Sequence, residues 1–502
     1  MKAAFANRPL KIVLDGAEPD AKLLKTATSA FVRQTLDAPS LAEICFAEPP
    51  AESVKTLRFG AALTLSVDDD TVLFAGEITT LEHSRDGAQG HVVRVRAYDR
   101  LHRLRKKQRP RALADVRAGD VAATAASDLG VESVATDAGP TRRLAVQYEH
   151  SDLDFIVDLA REAGLHLYLD GDLLRLVTLA GEGEPIELKV GRELAKVRSV
   201  ASIETLRRNV RAQAWNVLRT TVLDSTVSLA RQDADEDMRS IDSSAFPDLG
   251  VRTLFNRVAG DASELEGYAQ ADLDNAASGE VVIEGAADGN AKLKPGCIVS
   301  ILGLDDDVDG RFTVTEALHR FGEDEGYVTE FSTAPPFAKA RSRAPLFTFG
   351  RVFDTADPEK LSRARAKLPL MGDLETDWMP VVAASAGKDK GFAVMPEDGD
   401  NVLILFPNGD PAYGIVLGGL YGESRAPGLA DAGARPFVFR TANGQAFTLD
   451  SANALAAIET SGGDRFEMGP KGTKLHAMQD LTIEAPGRTV TIRAKAVEFE
   501  EG

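Results

Sequence analysis

A short acidic stretch past the middle of the chain has residue types that could bind calcium. In LGLDDDVDGRFTVTEALHRF, the residues Asp305, Asp307, Asp309, Gly310 and Glu316 match the D-x-D-x-D-G-x₅-E pattern of an EF-hand loop. Carboxylates at this spacing, closed by a glutamate, are the oxygen ligands that calcium takes in such loops. The pattern would make this protein a calcium sensor or a calcium-dependent enzyme.

The flanks of this stretch favour a different interpretation. PGCIVSILGL precedes it and RFTVTEALHRF follows it, and both runs are β-branched or alternate in polarity. An EF-hand needs a helix on each side of its loop, whereas these flanks predict strands, with Glu316 inside the second one. Aspartate and glycine are also ordinary turn residues. We therefore expect a hairpin turn, with calcium binding as the less favoured alternative.

No other pattern of reactive residues points to catalysis. The sequence has no G-x-S-x-G, H-E-x-x-H, C-x-x-C or G-x-x-x-x-G-K-[ST] motif, and its seven histidines are not at metal-ligand spacings. Glu149, Asp152 and Asp154 could be imagined as catalytic carboxylates, but a helix N-terminus accounts for the two aspartates. We therefore predict a protein that is not an enzyme and that has no cofactor.

Length, charge and cysteine content set the broad class of the protein. A chain of 502 residues suggests about three domains, and a net charge of −19 argues against nucleic-acid binding, which needs surplus lysine and arginine. With only Cys45 and Cys297 we expect no disulfide framework. No signal-peptide core is present at the start, so we expect synthesis in the cytoplasm. The basic run from Arg94 to Arg111 is either a nucleic-acid or acidic-partner patch or a solvated or subunit-contacting face, and we expect an acidic protein as its neighbour.

Residues 1–340 alternate short β-like runs with a few helices. In HVVRVRAYDRL, Val93 and Val95 fall on the opposite face from the arginines, as in a half-buried strand. The clearest helix begins after a natural N-cap, Ser151, and ends at Gly164. Two strands follow it, joined by an Asp-Gly dipeptide that is typical of a tight hairpin.

The composition changes after a Pro- and Ala-rich linker at residues 333–343. Residues 345–425 contain about five β-runs separated by Gly, Pro and Asp turns, a count that suits a small closed barrel of the OB type. A short connector follows, and it is too short to hold a catalytic domain.

Residues 435–502 form a third region with a quasi-repeat. Apolar β-positions recur there at gaps of 11, 8, 9, 8, 9 and 7 residues, with Gly and Pro turns between them. Strands this short cannot bury their apolar sides or satisfy their backbone groups within one chain. The sequence therefore predicts a β-helix or β-prism built from three chains. The recurring positions are Phe447, Ile458, Phe466, Leu475, Ile483, Ile492 and Phe499.

These three regions, in this order, resemble the hub-spike proteins of contractile injection machines, a group that includes VgrG of type VI secretion and phage, pyocin and extracellular spikes. LFAGEITTLEH, VQYEHSDLDFIVDLAREAGLHLYLDGDLLRL and GRFTVTEALHRF resemble the hub signatures. The resemblance implies a mainly β fold with minor α content: a hub of two β-barrel-like domains with helical insertions (1–340), an OB-fold base (345–425) and a trimeric β-helix or β-prism needle (435–502).

The most specific part of the resemblance is the OB region, where GRVFDTADPEKLSRARAKLPLMGDLETDWMPVV and the segment after it match the spike-family pattern almost throughout. We expect the matching residues to be structural, because glycine and proline supply turns and Trp378 packs. They are Gly350, Asp357, Pro358, Trp378, Gly391, Pro396, Gly399, Asp400 and Phe406.

The resemblance also implies a mechanism and partners. A homotrimer would adapt a hexameric inner tube to a threefold needle, which sheath contraction drives transiently through a target membrane. Inner tube proteins would contact the hub, baseplate proteins its flank, and a PAAR-type tip protein the blunt end at Val497, Phe499 and Glu500. The particle would be phage tail-like, assembled in the bacterial cytoplasm and possibly released. The compact hub resembles extracellular-type systems more than type VI VgrG. A trimeric fibre or adhesin shares the repeated strands and is the alternative function.

Overall fold

Alternation of apolar and polar residues makes strands the main element of this chain. The computed structural model is mainly β with minor helix, as predicted, and its described part divides into two compact units, Met1–Gly419 and Leu420–Gly502. No helix among the described residues is long and apolar enough to cross a membrane. The described residues are 10–68, 71–87, 90–246, 249–305, 308–323, 326–337, 344–388, 390–422, 426 and 436–500.

The strands before residue 100 bury every second side chain. Val93 and Val95 are buried, as the alternation predicts, while Arg94 and Arg96 on the other face remain partly exposed. The elements are β1 (Lys11–Leu14), α1 (Ala21–Leu24), β2 (Ala27–Thr35), β3 (Leu41–Ala47), α2 (Ala51–Val54), β4 (Ala62–Val67), β5 (Thr71–Asp86) and β6 (Gly90–Tyr98).

Two helices and a hairpin follow a short 3₁₀ helix at Arg100–Lys106. The Oγ atom of Ser151 accepts a hydrogen bond of 3.1 Å from the backbone N–H of Asp154, so the predicted N-cap forms. Gly171, at a φ of 61°, turns the predicted hairpin. The elements are β7 (Arg111–Val116), α3 (Ala118–Leu129), β8 (Glu132–Ala135), β9 (Arg142–Gln147), α4 (Asp152–Glu162), β10 (His166–Asp170) and β11 (Leu173–Val177).

The chain then returns to the first sheet through a small α/β layer. In that layer the long helix α5 packs on one face of a three-stranded sheet, β15-β14-β16. The elements are β12 (Glu182–Lys189), β13 (Leu194–Ala201), β14 (Val210–Asn216), β15 (Thr221–Val227), β16 (Arg252–Val258), α5 (Ala262–Ser278), β17 (Val281–Asp288), β18 (Cys297–Leu302), β19 (Gly310–Thr313), β20 (Glu316–Gly322) and β21 (Gly326–Ser332).

The largest sheet combines strands from both ends of this region. Its hydrogen-bonding order is β1-β4-β5-β6-β3-β2-β20-β21-β17-β13, and β2 pairs with β20 from Ser29↔Gly322 to Thr35↔Glu316. Within the described residues this order is an open path, so the two barrel-like hub domains and the boundary at residue 340 stay predictions. The apolar core of the sheet centres on fully buried residues such as Ile44, Phe46 and Leu65.

The last part of the first unit is a six-stranded sheet. Its core contains Val402, Ile404 and Phe406, and two residues of β9, Leu144 and Val146, complete it. The OB region is therefore packed against the preceding part of the chain. Its elements are β22 (Leu346–Asp354), β23 (Arg363–Leu368), β24 (Leu374–Glu375), β25 (Met379–Pro380), β26 (Asn401–Phe406) and β27 (Ile415–Leu420).

The second unit is an antiparallel meander of five strands in chain order. Between residues 477 and 500, all of which are described, no further strand forms. Its strands are β28 (Phe437–Arg440), β29 (Ala446–Asp450), β30 (Leu455–Glu459), β31 (Arg465–Gly469) and β32 (Gly472–His476).

Candidate assembly surface

One face of the meander in the second unit carries an uncovered apolar row. In register across β28 to β32, the row runs from Phe439 to Phe447, Ile458, Phe466 and Leu475. Because residues paired across antiparallel strands point to the same side, all five side chains lie on one face. Four of the seven repeat positions that the sequence singled out thus become neighbours.

A second row lies beside the first on the same face. Phe437 pairs with Leu449, Leu449 with Ala456, and Ala456 with Met468. Across the two rows, the large side chains are 37–74% exposed within one chain. Eight large apolar residues on one sheet face exceed what a monomeric surface normally leaves open, so this face has the character of an interface.

The opposite face of the same sheet is polar. Arg465, Glu467, Lys474 and His476 point to that side, and Arg465 forms an ion pair of 2.7 Å with Glu467. The only buried residue of β30 is the small Ala457, which also faces this side. The sheet therefore has one polar face and one apolar face.

The remaining repeat positions, Ile483, Ile492 and Phe499, lie in the extended segment after β32. Ile492 and Phe499 are 70% and 94% exposed. The predicted tip-contact residues Val497, Phe499 and Glu500 belong to this segment, and all three are exposed. Their role in binding a tip protein stays a prediction.

The OB region carries a similar row on its outer face. Phe347 and Phe349 of β22 are more than half exposed and pair with Leu405 and Leu403 of β26. The intervening Thr348 faces the interior. The alternation of exposed and buried residues in LFTFG marks this outer row, which the sequence analysis did not single out because it counted the β-runs of the region without assigning their faces.

The predicted OB residues occupy structural positions. Asp357 accepts backbone hydrogen bonds from Glu359 (3.0 Å) and Leu361 (2.7 Å) and pairs with the buried Arg363 at 2.6 Å. Hydrogen bonding to Arg363 lowers the pKa of this carboxyl well below its ordinary range. Pro358 lies in the same loop, so Asp357 and Arg363 together fix the connection between β22 and β23.

The other predicted OB residues supply turns and close packing. A Cβ added at Gly350 would lie 2.6 Å from Ile404 Cδ1 and 3.1 Å from Ala366 Cβ, so a larger residue there would require these neighbours to shift. Gly399 has a φ of 96°, and the carboxylate of Asp400 accepts a 2.9 Å hydrogen bond from the N–H of Glu397. Phe406 is fully buried. Gly391 (φ 134°), Pro396 and Trp378 lie outside the regular strands.

Trp378 takes part in a cation–π stack in the OB region. The guanidinium of Arg365 lies 5.9 Å from the Trp378 ring centroid and 4.9 Å from that of Phe353. The structural role expected of the OB residues stays a prediction.

The acidic stretch lies between strands, as predicted. The carboxylate of Asp309 accepts hydrogen bonds from the backbone N–H groups of Gly303 (2.6 Å) and Leu304 (2.9 Å), which lower its pKa. Glu316 belongs to β20 in a different sheet and pairs with Arg33 at 3.3 Å. Asp307, the second candidate ligand, lies outside the described residues. Among those that are described, no group of three His, Cys, Asp or Glu side chains could hold a metal ion.

Five arginines of the basic run from Arg94 to Arg111 pair with carboxylates inside the chain. Arg105 lies over the Tyr98 ring at 5.4 Å. This internal pairing reduces the positive field that an acidic partner would meet, and contact with such a partner stays a prediction. The pairs are Arg94–Glu82, Arg96–Glu43, Arg100–Asp172, Arg103–Glu77 and Arg109–Asp152.

The role of Asp152 differs from the one expected. It lies in the first turn of α4, but its carboxylate is buried and accepts hydrogen bonds of 2.8 Å from both Gln147 and Arg109. Gln147 is fully buried as well. Gln147 and Asp152 therefore form a buried polar junction between β9 and α4, in which the Asp152 carboxylate is held by Gln147 and Arg109.

Comparison with known proteins agrees with this architecture. Residues 348–421 match the type VI secretion system/phage-baseplate injector OB domain, and residues 60–323, just over half of the chain, match the Alg8 N-terminal domain. No curated protein matches the sequence.

Several solved structures share the fold at low identity. A chain of a Francisella PdpA-VgrG complex (TM-score 0.57, 9% identity) aligns over 94% of this chain and 88% of its own length. The E. coli c3393 protein, a type VI secretion component described as similar to phage T4 gp27 and gp5 (0.52, 14%), aligns over 82% and 99%. A 43 kDa tail protein of prophage MuSo2 from Shewanella oneidensis (0.50, 12%) aligns over 65% and 98%. The chain belongs to the Alg8 N-terminal domain family, carries an injector OB domain and has the fold of a VgrG-like hub-spike protein.

Proposed function

We propose that this protein is the hub and spike of a contractile injection machine and that it works as a homotrimer. The observation that carries the proposal is the apolar face of the β28–β32 sheet, which one chain leaves open. Fully burying a large apolar side chain contributes about 1.5–3 kcal/mol, and covering the exposed part of eight such side chains on each of three chains provides the driving force for association. Two sister copies are the occupants that fit this face.

The trimer gives the molecule a mechanical role. A hub of three copies would contact the inner tube, the OB regions would form the base of the spike, and the β28–β32 sheets with residues 477–500 would form the needle. Sheath contraction supplies the work, so the chain needs no nucleotide site. Baseplate proteins, a PAAR-type tip protein and, transiently, the target membrane are the proposed partners. The particle would assemble in the cytoplasm and act as a phage tail-like device, with a structural role in place of catalysis.

A matched pair of substitutions on β32 tests the trimer. Leu475 and Lys474 are adjacent, both exposed in one chain, and point to opposite faces of the sheet. Leu475→Asp should convert the trimer to monomers at micromolar concentration, and Lys474→Asp should leave it intact, as measured by analytical ultracentrifugation. Equal behaviour of the two variants would contradict the assignment of the apolar face.

The position of the protein in a particle separates the spike from a fibre. Gold-labelled antibody against the chain should mark the baseplate end of sheathed, rod-shaped particles in electron micrographs. A label on free trimers attached to cell surfaces, with no sheathed particle, would support the fibre or adhesin instead.

A further inference from the structure

A buried polar network links the OB region to the rest of the first unit. At its centre is Glu264, in the first turn of α5. One carboxylate oxygen accepts hydrogen bonds from the N–H of Gly260 (2.9 Å) and the hydroxyl of Tyr413, and the other accepts one of 3.0 Å from the hydroxyl of Tyr268. Glu264, Tyr268 and Tyr413 are all buried. The carboxylate is thus fully surrounded by donors.

Arginine supplies the charge that balances this carboxylate. Arg142 of β9 donates 2.8 Å to the Tyr268 hydroxyl, lies 3.7 Å from Glu264 and pairs with Glu162 of α4 at 2.5 Å. A buried ion is stable only when its partners fill its hydrogen-bonding positions, so removal of one partner weakens the whole set. The network therefore favours one fully assembled arrangement over partly formed ones.

Tyr413 is the member that comes from the OB region. It lies between β26 and β27, and its ring packs with Val217 and Val258 at the end of the β15-β14-β16 sheet. The phenol thus enters the hub with its apolar body in a small cluster and its hydroxyl on Glu264. Tyrosine suits this place because one end of its side chain is apolar and the other is a hydrogen-bond donor.

Strand β9 reinforces the same junction from a second side. Leu144 and Val146 belong to the OB core, and Arg143 pairs with Asp377 at 2.5 Å. Strand β9 therefore contributes Leu144 and Val146 to the OB core and Arg142 to the Glu264 network. Two independent sets of contacts fix the same pair of neighbours.

We propose that Glu264 and Tyr413 are positioning residues that hold the OB base of the spike in one orientation on the hub. Load would then pass through α5 and β9 into the base, in addition to the covalent connection at residues 333–345. This inference rests on the proposed hub-spike function, which supplies the load.

Hydrogen exchange of the full-length protein tests the network locally. Tyr413→Phe keeps the ring and removes the one donor, so amides of 258–264 and 410–416 should exchange about tenfold faster. Amides of β2 and β3 should be unchanged. Tyr421→Phe, at a tyrosine that is 58% exposed, is the matched control and should change neither segment. Glu264→Gln should reproduce the Tyr413→Phe pattern with a larger effect.

The outcomes separate this inference from the proposed function. Unchanged exchange at both segments in Tyr413→Phe would overturn the network's role, and so would a uniform rise over the whole first unit, which would show general core destabilisation. Native mass spectrometry of the same samples reads the number of copies. A trimer with unchanged exchange would refute the positioning role alone, whereas a monomer would refute the trimeric spike. Should Glu264→Gln fail to fold, Tyr413→Phe still decides the question.

Discussion

The two units use the same alternation of apolar and polar residues with opposite results. In the first unit, β6 buries Val93 and Val95 beneath other strands of its own chain. In the second unit, Ile458 and Leu475 alternate in the same way but remain more than half exposed. The comparison teaches that alternation specifies which side of a strand must be covered and leaves open which chain covers it. The first unit buries these alternating residues within one chain, and under the proposed function further copies cover those of the second.

A Phe→Ala substitution made in each unit should give the largest difference between the two. Phe406→Ala removes a fully buried ring from the OB core and should cost the first unit about 3–5 kcal/mol of unfolding free energy at any protein concentration. Phe466→Ala, on the apolar face of β31, should leave that free energy unchanged and weaken trimer association. Denaturant unfolding at two protein concentrations distinguishes them. A Phe466→Ala effect independent of concentration would show that the second unit is complete by itself.

The Asp357–Arg363 ion pair in the OB loop should stabilise the first unit within a single chain. Asp357→Asn leaves Arg363 buried without its main carboxylate and should cost about 3 kcal/mol. Glu359→Gln is the control, because Glu359 also contacts Arg363 but its side chain is 47% exposed, and it should change stability by less than about 0.5 kcal/mol. Thermal unfolding checks both variants. Equal losses would mean that the two carboxylates share the role.

Low pH should destabilise the first unit. Burial lowers the pKa of His319 to about 4, from an ordinary value of about 6.5, and its Nδ1 lies 3.0 Å from the Tyr327 hydroxyl. As pH falls from 6.5 to 4, His319 becomes protonated in the unfolded chain but stays neutral in the folded chain. The free energy of unfolding therefore falls by up to about 3 kcal/mol. The pH dependence of unfolding should be correspondingly shallower in His319→Gln. Parallel curves for the two proteins would contradict this assignment.

Calcium should produce the smallest effect. The carboxylate of Asp309 is already occupied by backbone donors, and Glu316 lies in another sheet. Millimolar calcium followed by chelator should therefore leave the melting temperature unchanged, as measured by scanning calorimetry. A large rise that chelation reverses would restore the EF-hand interpretation of this stretch.

Local features of the fold could be predicted from the sequence because their causes are local. Ser151 caps α4 through a residue three positions away, and Gly171 turns a hairpin whose strands adjoin it. The repeat spacing likewise located four positions that pair in one row of the second unit. Among the described residues no strand forms between Ile483 and Phe499, so the strands expected there stay a prediction.

Features built from distant residues could not be predicted. Tyr413 meets Glu264 across 149 positions, and Arg142 meets Tyr268 across 126. Each residue is unremarkable in its own segment, so no local pattern marks the network that joins the OB region to the hub. The buried role of Asp152 was missed for the same reason, because Arg109 lies 43 positions away.

The most direct test of the account is the number of copies in the purified, unmodified chain. Native mass spectrometry should give one species at three times the 53.7 kDa chain mass across a range of concentrations. The account predicts that the apolar face of β28–β32 is then protected from hydrogen exchange. A monodisperse 53.7 kDa species, with that face folded and uncovered, would contradict it.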